Sequence, residues 1–433
     1  MLRRDRAGIV AVPINPVDAA DRIARGGAFN RASVAALALA GVEFQAGLQS
    51  APNLVVNAQG TVGLLTNRVG VRFVTSPTAG QRTALRRRGA ILGDPRFGTQ
   101  TVFIVETPDP MGFADALRAD SIDFVDVEVD VLYPLRRPQL VFPQAGNRVD
   151  YFSIIGRDPM LSGEGATIGV IDGGFQDDHP SLTEAWDRRS ARIVTFDSGT
   201  STVSVTTGIG PPGGSSHGTS VTSVAAGSVV EEPGAPGVAA GAYMIPLSLT
   251  GASSSALFAI AIEVLVNLRV GTIVSSVHLP TMNNESPVLL QAACDFAEAQ
   301  HQVVVWAALE EIAPRRDHWI GKYPTVVLIG GLKNNLTRRD GTTEVDAVAP
   351  GTDIVVAVDG SVYELGSGHS LAAPIVGAAI ALTKRVYPNA TAAQLRAMLA
   401  GACCPSVESG AGYGSGIVNI RRLLEGTAQA CPI

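Results

Sequence analysis

The sequence predicts an α/β fold: a central, mostly parallel sheet flanked by helices, preceded by a small α+β unit. Three observations carry this. From about residue 152 to 425, apolar runs of strand length alternate with stretches of helical periodicity. A shorter alternation of strands and helices fills 59–136. Between them LRRPQLVFPQAGNRVDY (135–151) is rich in proline and polar residues, so 137–151 reads as a linker.

Residues 1–58 show weak periodicity and are read as an irregular leader with one helix near 30–40. In 59–136, VGVRFVT, TVFIVET and DFVDVEVDVLY read as strands, and AGQRTALRRRG and GFADALRAD as helices. The arginines Arg86–Arg88 read as a solvated helix face. In the larger unit the strands are ATIGVID, RIVTFD, AYMIPLSL, TIVSSVHL, VVVWAAL and TVVLIGGL, about seven in all being expected. SALFAIAIEVLVNL and SPVLLQAACDFAEAQ place apolar residues three and four apart, and Ser286 with Pro287 makes a helix start. The tail is 426–433.

Composition narrows the function. Of 433 residues, 46% are apolar and 17% charged, which suits a sizeable core. The net charge of −6 offers nothing to capture nucleic acid. Before Pro13 there is no apolar run long enough for a secretory signal, and LGSGHSLAAPIVGAAIAL is too interrupted to span a bilayer. The expectation is therefore a cytoplasmic chain with no membrane or nucleic-acid partner. The four cysteines match no metal spacing and are expected to be reduced. No cofactor motif is present. Asp177 and Asp178 have the chemistry for calcium but read as a charged loop, so no metal site is assigned.

Chemistry concentrates in three segments at expected strand ends or helix starts, where sites in parallel sheets lie. They are IGVIDGGFQDDHPSL with Asp172, SSHGTSVTSVAAG with His217, and GSGHSLAAPIVGAA with Ser370. Serine at a helix N-terminus suits nucleophilic attack, because nearby amides favour a developing oxyanion. Histidine can take its proton, and a buried aspartate can orient the imidazole. Alone, each is an ordinary cap or loop residue. Together, in the order Asp, His, Ser, they match one of the orders in which this triad occurs.

These motifs resemble those of subtilisin-like serine peptidases, the subtilases. IGVIDGG, HGTSVTSVAAG and GHSLAAP stand where the family has its aspartate, histidine and serine motifs, and KYPTVVLIGG, EVDAVAPGTDIVVAV and YGSGIVNI continue the match over about 165–422. The resemblance implies a subtilisin-like sheet and a serine endopeptidase acting on peptides or proteins. Asp172 would orient, His217 would be base then acid, and Ser370 the nucleophile, with its own N–H as one oxyanion donor. Residues 59–136 are similar to the family's ferredoxin-like propeptide, which implies an intramolecular inhibitor whose tail, near 130–145, lies in the cleft.

Departures from the family pattern cluster near the serine. Aligning VVVWAALEE places Leu309 on a glycine and Glu310 on the asparagine that donates to the oxyanion. An ionised carboxylate cannot donate; in a subtilisin, losing that donor costs about 10²–10³ in turnover. In SSVHLP, Ser276, Val277, His278 and Leu279 replace a glycine-rich substrate-binding run. His369 stands where threonine is usual. STVSVTTGIGPPGGSS reads as a flexible insert bordering the cleft. Three readings stay open: an active enzyme of narrow specificity with Glu310 protonated or turned away, a weakened self-processing enzyme, or a pseudopeptidase that binds peptides or proteins. A bulge would put Glu311 on the aligned position instead. Transfer of the acyl group to an amine also stays open.

Overall fold

The computed structural model describes residues 3–4, 10–13, 53–56, 62–73, 75–88, 90–91, 102–119, 124–134, 150–158, 160–197, 202–210, 217–228, 236–249, 252–278, 288–312, 314–315, 320–360, 362–406, 408, 410–426 and 431. The expected helix near 30–40, the Ser286–Pro287 helix start, Leu279 and most of the 137–151 linker lie outside them.

The N-terminal unit comprises β1 (Arg3–Arg4), β2 (Val10–Pro13), β3 (Asn53–Val56), β4 (Val62–Phe73), α1 (Ala79–Arg88), β5 (Ala90–Ile91), β6 (Val102–Glu106), α2 (Pro110–Ala119) and β7 (Phe124–Pro134). β4 pairs antiparallel with both β6 and β7, and β3 pairs with the start of β4. Val69, Val71, Phe103, Val105, Phe113, Leu117 and Val129 make its core. β1, β2 and β3 fall in the segment expected to be irregular. VAVP and NLVV are strands because partners complete their hydrogen bonds, which four residues cannot reveal by periodicity.

The second unit runs through α3 (Tyr151–Ile154), β8 (Thr167–Asp172), β9 (Arg192–Asp197), β10 (Thr202–Thr207), α4 (His217–Ala226), β11 (Tyr243–Leu249), β12 (Ala252–Ser253), α5 (Ser255–Asn267), β13 (Thr272–Ser275), α6 (Val288–Ala299), β14 (Val303–Ala307), β15 (Val326–Leu332), β16 (Ala347–Pro350), β17 (Ile354–Val358), β18 (Val362–Gly366), α7 (His369–Val386), α8 (Ala392–Ala402) and α9 (Ile420–Glu425). Its sheet has the order β10-β9-β11-β8-β13-β14-β15-β16. From β9 onward every pair is parallel. The expected parallel sheet is therefore present, with α5 crossing from β11 to β13 and α6 from β13 to β14. β13, β14 and β15 are buried along their whole length, as a sheet covered on both faces requires.

Two expectations change. Within the insert expected to be flexible, TVSVTT forms β10, antiparallel to β9, an edge strand whose residues 204–207 are all exposed. The cysteines are not all reduced: Cys404 bridges Cys431, with Cα atoms 5.7 Å apart, while Cys294 and Cys403 are free and buried. Sequence spacing does not carry disulfide connectivity, because the partners meet only in the fold.

α7 is the axis of the second unit. Residues 369–383 are all buried, so the helix is apolar around its full circumference and packs against β13, β14 and β15. Its small residues permit that approach. At Gly377 an added Cβ would come 2.2 Å from Val274 Cγ2 on β13. Gly377→Ala is expected to destabilise the protein by about 2 kcal/mol in denaturant melts, overpacking outweighing the gain in helix propensity.

Candidate active site

Three elements carry the expected residues, and two of those residues meet in a hydrogen bond. Asp172 ends β8, His217 opens α4, and Ser370 is the second residue of α7. All three are buried. His217 Nδ1 lies 2.8 Å from Asp172 Oδ2, and the other carboxylate oxygen accepts the Gly173 N–H at 2.7 Å. The loop after β8 is tied to α4, the Gln176 N–H donating to Thr219 Oγ1 at 2.9 Å. A histidine so held presents Nε2 as its proton-accepting nitrogen, while Asp172 fixes the tautomer. Among the described residues the Ser370 hydroxyl makes no hydrogen bond.

The N-terminus of α7 explains much of what surrounds it. Pro374 has no N–H, so the Ser370 carbonyl, four residues earlier, lacks its helical donor. The Ser276 hydroxyl supplies one, at 2.8 Å. β13 stops at Ser275, although a strand to 279 was expected. The next carbonyl, that of Val277, accepts the Trp306 indole N–H at 2.9 Å, and His278 is buried. Leu309 is also buried, and both its backbone groups bond Thr342: its N–H donates to Oγ1 at 2.9 Å, and its carbonyl accepts the Thr342 N–H at 3.1 Å.

Glu310 has a definite place. Its Oε1 accepts the His369 N–H at 2.7 Å, capping a helix whose N-cap residue, Gly368, has no side chain to do so. Three residues past the end of β14 the chain carries an acid that serves as acceptor for the start of α7. His369 is equally constrained. Its Nδ1 accepts the Gly331 N–H at 2.7 Å, so the proton is on Nε2, which donates to the Asp340 carbonyl at 2.7 Å. Burial pushes its pKa below the ordinary histidine range, and the ring is a neutral brace.

Sequence reasoning passed over Arg339 and Glu128. Arg339 Nη2 lies 3.4 Å from Glu310 Oε2. Glu128, on β7, accepts the Ser255 hydroxyl at the start of α5 and, at 3.2 Å, the Leu289 N–H at the start of α6. An alternating strand with acids on one face carries no signal of which acid meets a helix end. Asp178 Oδ1 accepts from Gln176 Nε2 at 2.8 Å, and among the described residues no cluster of three metal-ligating side chains occurs.

Known proteins resemble this chain in sequence and in fold. A model of the subtilase family of peptidases matches residues 163–414. The chain is 27% identical over 277 residues to subtilisin E of Bacillus subtilis, covering 61% of this chain and 68% of that one. It is 28% identical over 268 residues to subtilisin Savinase of Lederbergia lenta, covering 60% and 90%. Among solved structures it superposes on fervidolysin from Fervidobacterium pennivorans, a keratinolytic enzyme related to subtilisin, with a TM-score of 0.66 at 17% identity. That match covers 84% of this chain and 61% of fervidolysin.

Ser276→Ala is expected to cost about 1–3 kcal/mol by leaving the Ser370 carbonyl unpaired. With Pro374→Ala, which restores a helical donor, the cost should fall below about 1 kcal/mol. Chemical denaturation of the four proteins checks this.

Proposed function

The chain belongs to the subtilase family of serine endopeptidases, and we propose that it hydrolyses peptide bonds with Ser370 as nucleophile, His217 as general base then acid, and Asp172 as the orienting carboxylate. The observation that carries this is the buried 2.8 Å contact between His217 Nδ1 and Asp172, within one domain as Ser370 at the head of α7. Ser370 Oγ attacks the scissile carbonyl carbon and its proton passes to His217 Nε2. The imidazolium is stabilised through Nδ1–H by Asp172. The tetrahedral intermediate collapses, the amine leaves with that proton, and water hydrolyses the acyl-enzyme by the reverse sequence.

The Ser370 N–H is one oxyanion donor in this reading. Ser276, Val277 and His278 form the wall facing the residue before the cut, closed by Leu309. A buried imidazole in a run that is glycine-rich in the family narrows the substrates accepted. The Cys404–Cys431 bridge supports an oxidising compartment rather than the cytoplasm expected from sequence.

The N-terminal unit acts, in this reading, as an intramolecular inhibitor. Its β7 pairs antiparallel with β12, Tyr133 opposite Ser253 and Pro134 opposite Ala252. Val102, Ile104 and Val131 join the apolar cluster of Ala256, Leu289 and Ala293. Glu128 occupies the N-termini of α5 and α6. The β7–β12 pairing is strand addition, the mode by which a sheet edge recognises an extended substrate segment.

Two experiments test the proposal. A fluorophosphonate should label Ser370 and nothing in Ser370→Ala; absence of label in folded protein would favour a peptide-binding module without turnover. The second concerns docking. Burial, aided by nearby Asp130, pushes the Glu128 carboxyl from 4.5 up to about 7, against the bonds from Ser255, Leu289 and Val288. The protonated acid therefore docks better. The contribution is full below the ordinary value and is lost as pH rises through about 7. Hydrogen exchange at β7 in the Ser370→Ala protein should show docking on the order of a hundredfold weaker at about pH 8 than at about pH 5, and Glu128→Gln should flatten that dependence.

A further inference from the structure

Glu310 does not meet α7 alone. Arg339 follows the turn after β15, its N–H donating to the Gly331 carbonyl at 2.9 Å. Its stem runs over Gly331, where an added Cβ would come within 3.0 Å of Arg339 Cδ, so the glycine leaves a lane for it. At the end of that lane Nη2 reaches Glu310 Oε2 at 3.4 Å, and Nη1 lies 3.3 Å from Thr352 Oγ1. The His369 ring, 3.8 Å from the same carboxylate oxygen, is held neutral and supplies no charge. Among the described residues, Arg339 is the cation that faces Glu310.

A partly exposed ion pair is usually worth little. This one matters for its position. Glu310 sits on the first amide of the helix whose second residue is Ser370, where negative charge grows during acyl transfer. A loose or unscreened carboxylate there would oppose that charge.

We propose that Arg339 is a positioning residue for the reaction inferred above, on which this inference rests: it holds Glu310 against the His369 amide and screens its charge from the oxyanion. The effect belongs to the chemical step, because the ground-state carbonyl is neutral and the charge appears only in the transition state.

The test is the rate at which a fluorophosphonate modifies the purified full chain, resolved into maximal rate and half-saturating concentration. In that reaction Ser370 Oγ bonds phosphorus, fluoride leaves, the hydroxyl proton passes to His217, and a phosphonyl oxygen takes the oxyanion position. Arg339→Gln should lower the maximal rate about tenfold and move the half-saturating concentration less than about twofold, with Arg339→Lys recovering much of the loss. Glu310→Gln keeps a carbonyl to cap His369, so α7 stays intact, and should raise the maximal rate about tenfold. In that background Arg339→Gln should change the rate by less than about twofold. Thermal melts confirm that each variant is folded. An equal loss in both backgrounds, or a loss confined to the half-saturating concentration, would overturn the role of Arg339 while leaving Ser370 as nucleophile. No labelling of any folded form would remove the nucleophile and this inference with it.

Discussion

A helix that begins inside a protein must find partners for its first polar groups, and the site is organised by how α7 finds them. Water cannot reach residues 369–383. The His369 amide bonds Glu310, and the Leu371 amide bonds the Gly368 carbonyl. Pro374 adds an orphan at the other polarity, the Ser370 carbonyl, which Ser276 satisfies. Ser276 follows β13 and Glu310 follows β14, and with the Gly368 N–H donating to the Gly351 carbonyl they fix the nucleophile's backbone from outside the helix. Loosening any one would expose a buried polar group, which is far costlier than a lost surface contact.

The same solution creates a conflict. A carboxylate is the best cap for a helix amide, and the helix dipole favours it. Yet the amide next in line is the natural donor to an oxyanion, and a fixed negative charge beside it raises the barrier. Stability and chemistry thus make opposite demands on Glu310. Arg339 and the neutral His369 brace reconcile them, one by screening charge and one by holding the loop at Asp340 without adding any.

The N-terminal unit repeats the device on a larger scale. Glu128 serves the starts of α5 and α6 together, reaching a hydroxyl on one and an amide on the other. In both places an acid from outside the helix completes its first turn. The difference is connectivity. Glu310 follows β14 within the same unit as α7, whereas Glu128 belongs to a unit joined to it by apolar packing and a two-residue strand pairing. Burial makes its charge expensive, which gives that interface a sensitivity to pH the inner cap does not need.

The alternating apolar strands and periodic helices determined the α/β class, the parallel sheet and its smaller α+β companion, because side-chain periodicity is a local consequence of backbone geometry. Asp172, His217 and Ser370 stood out in the sequence for a related reason, each lying in a short motif at the end of an element, and the fold pairs His217 with Asp172. Only the tertiary structure decided the rest. That Glu310 caps α7, that Ser276 answers Pro374 at the Ser370 carbonyl, that Arg339 reaches Glu310 and that Cys404 finds Cys431 are contacts between residues 27 to 94 positions apart. TVSVTT became an edge strand only because β9 offered it hydrogen bonds. Such pairings depend on which elements the packed core brings together, and no window of sequence contains both partners.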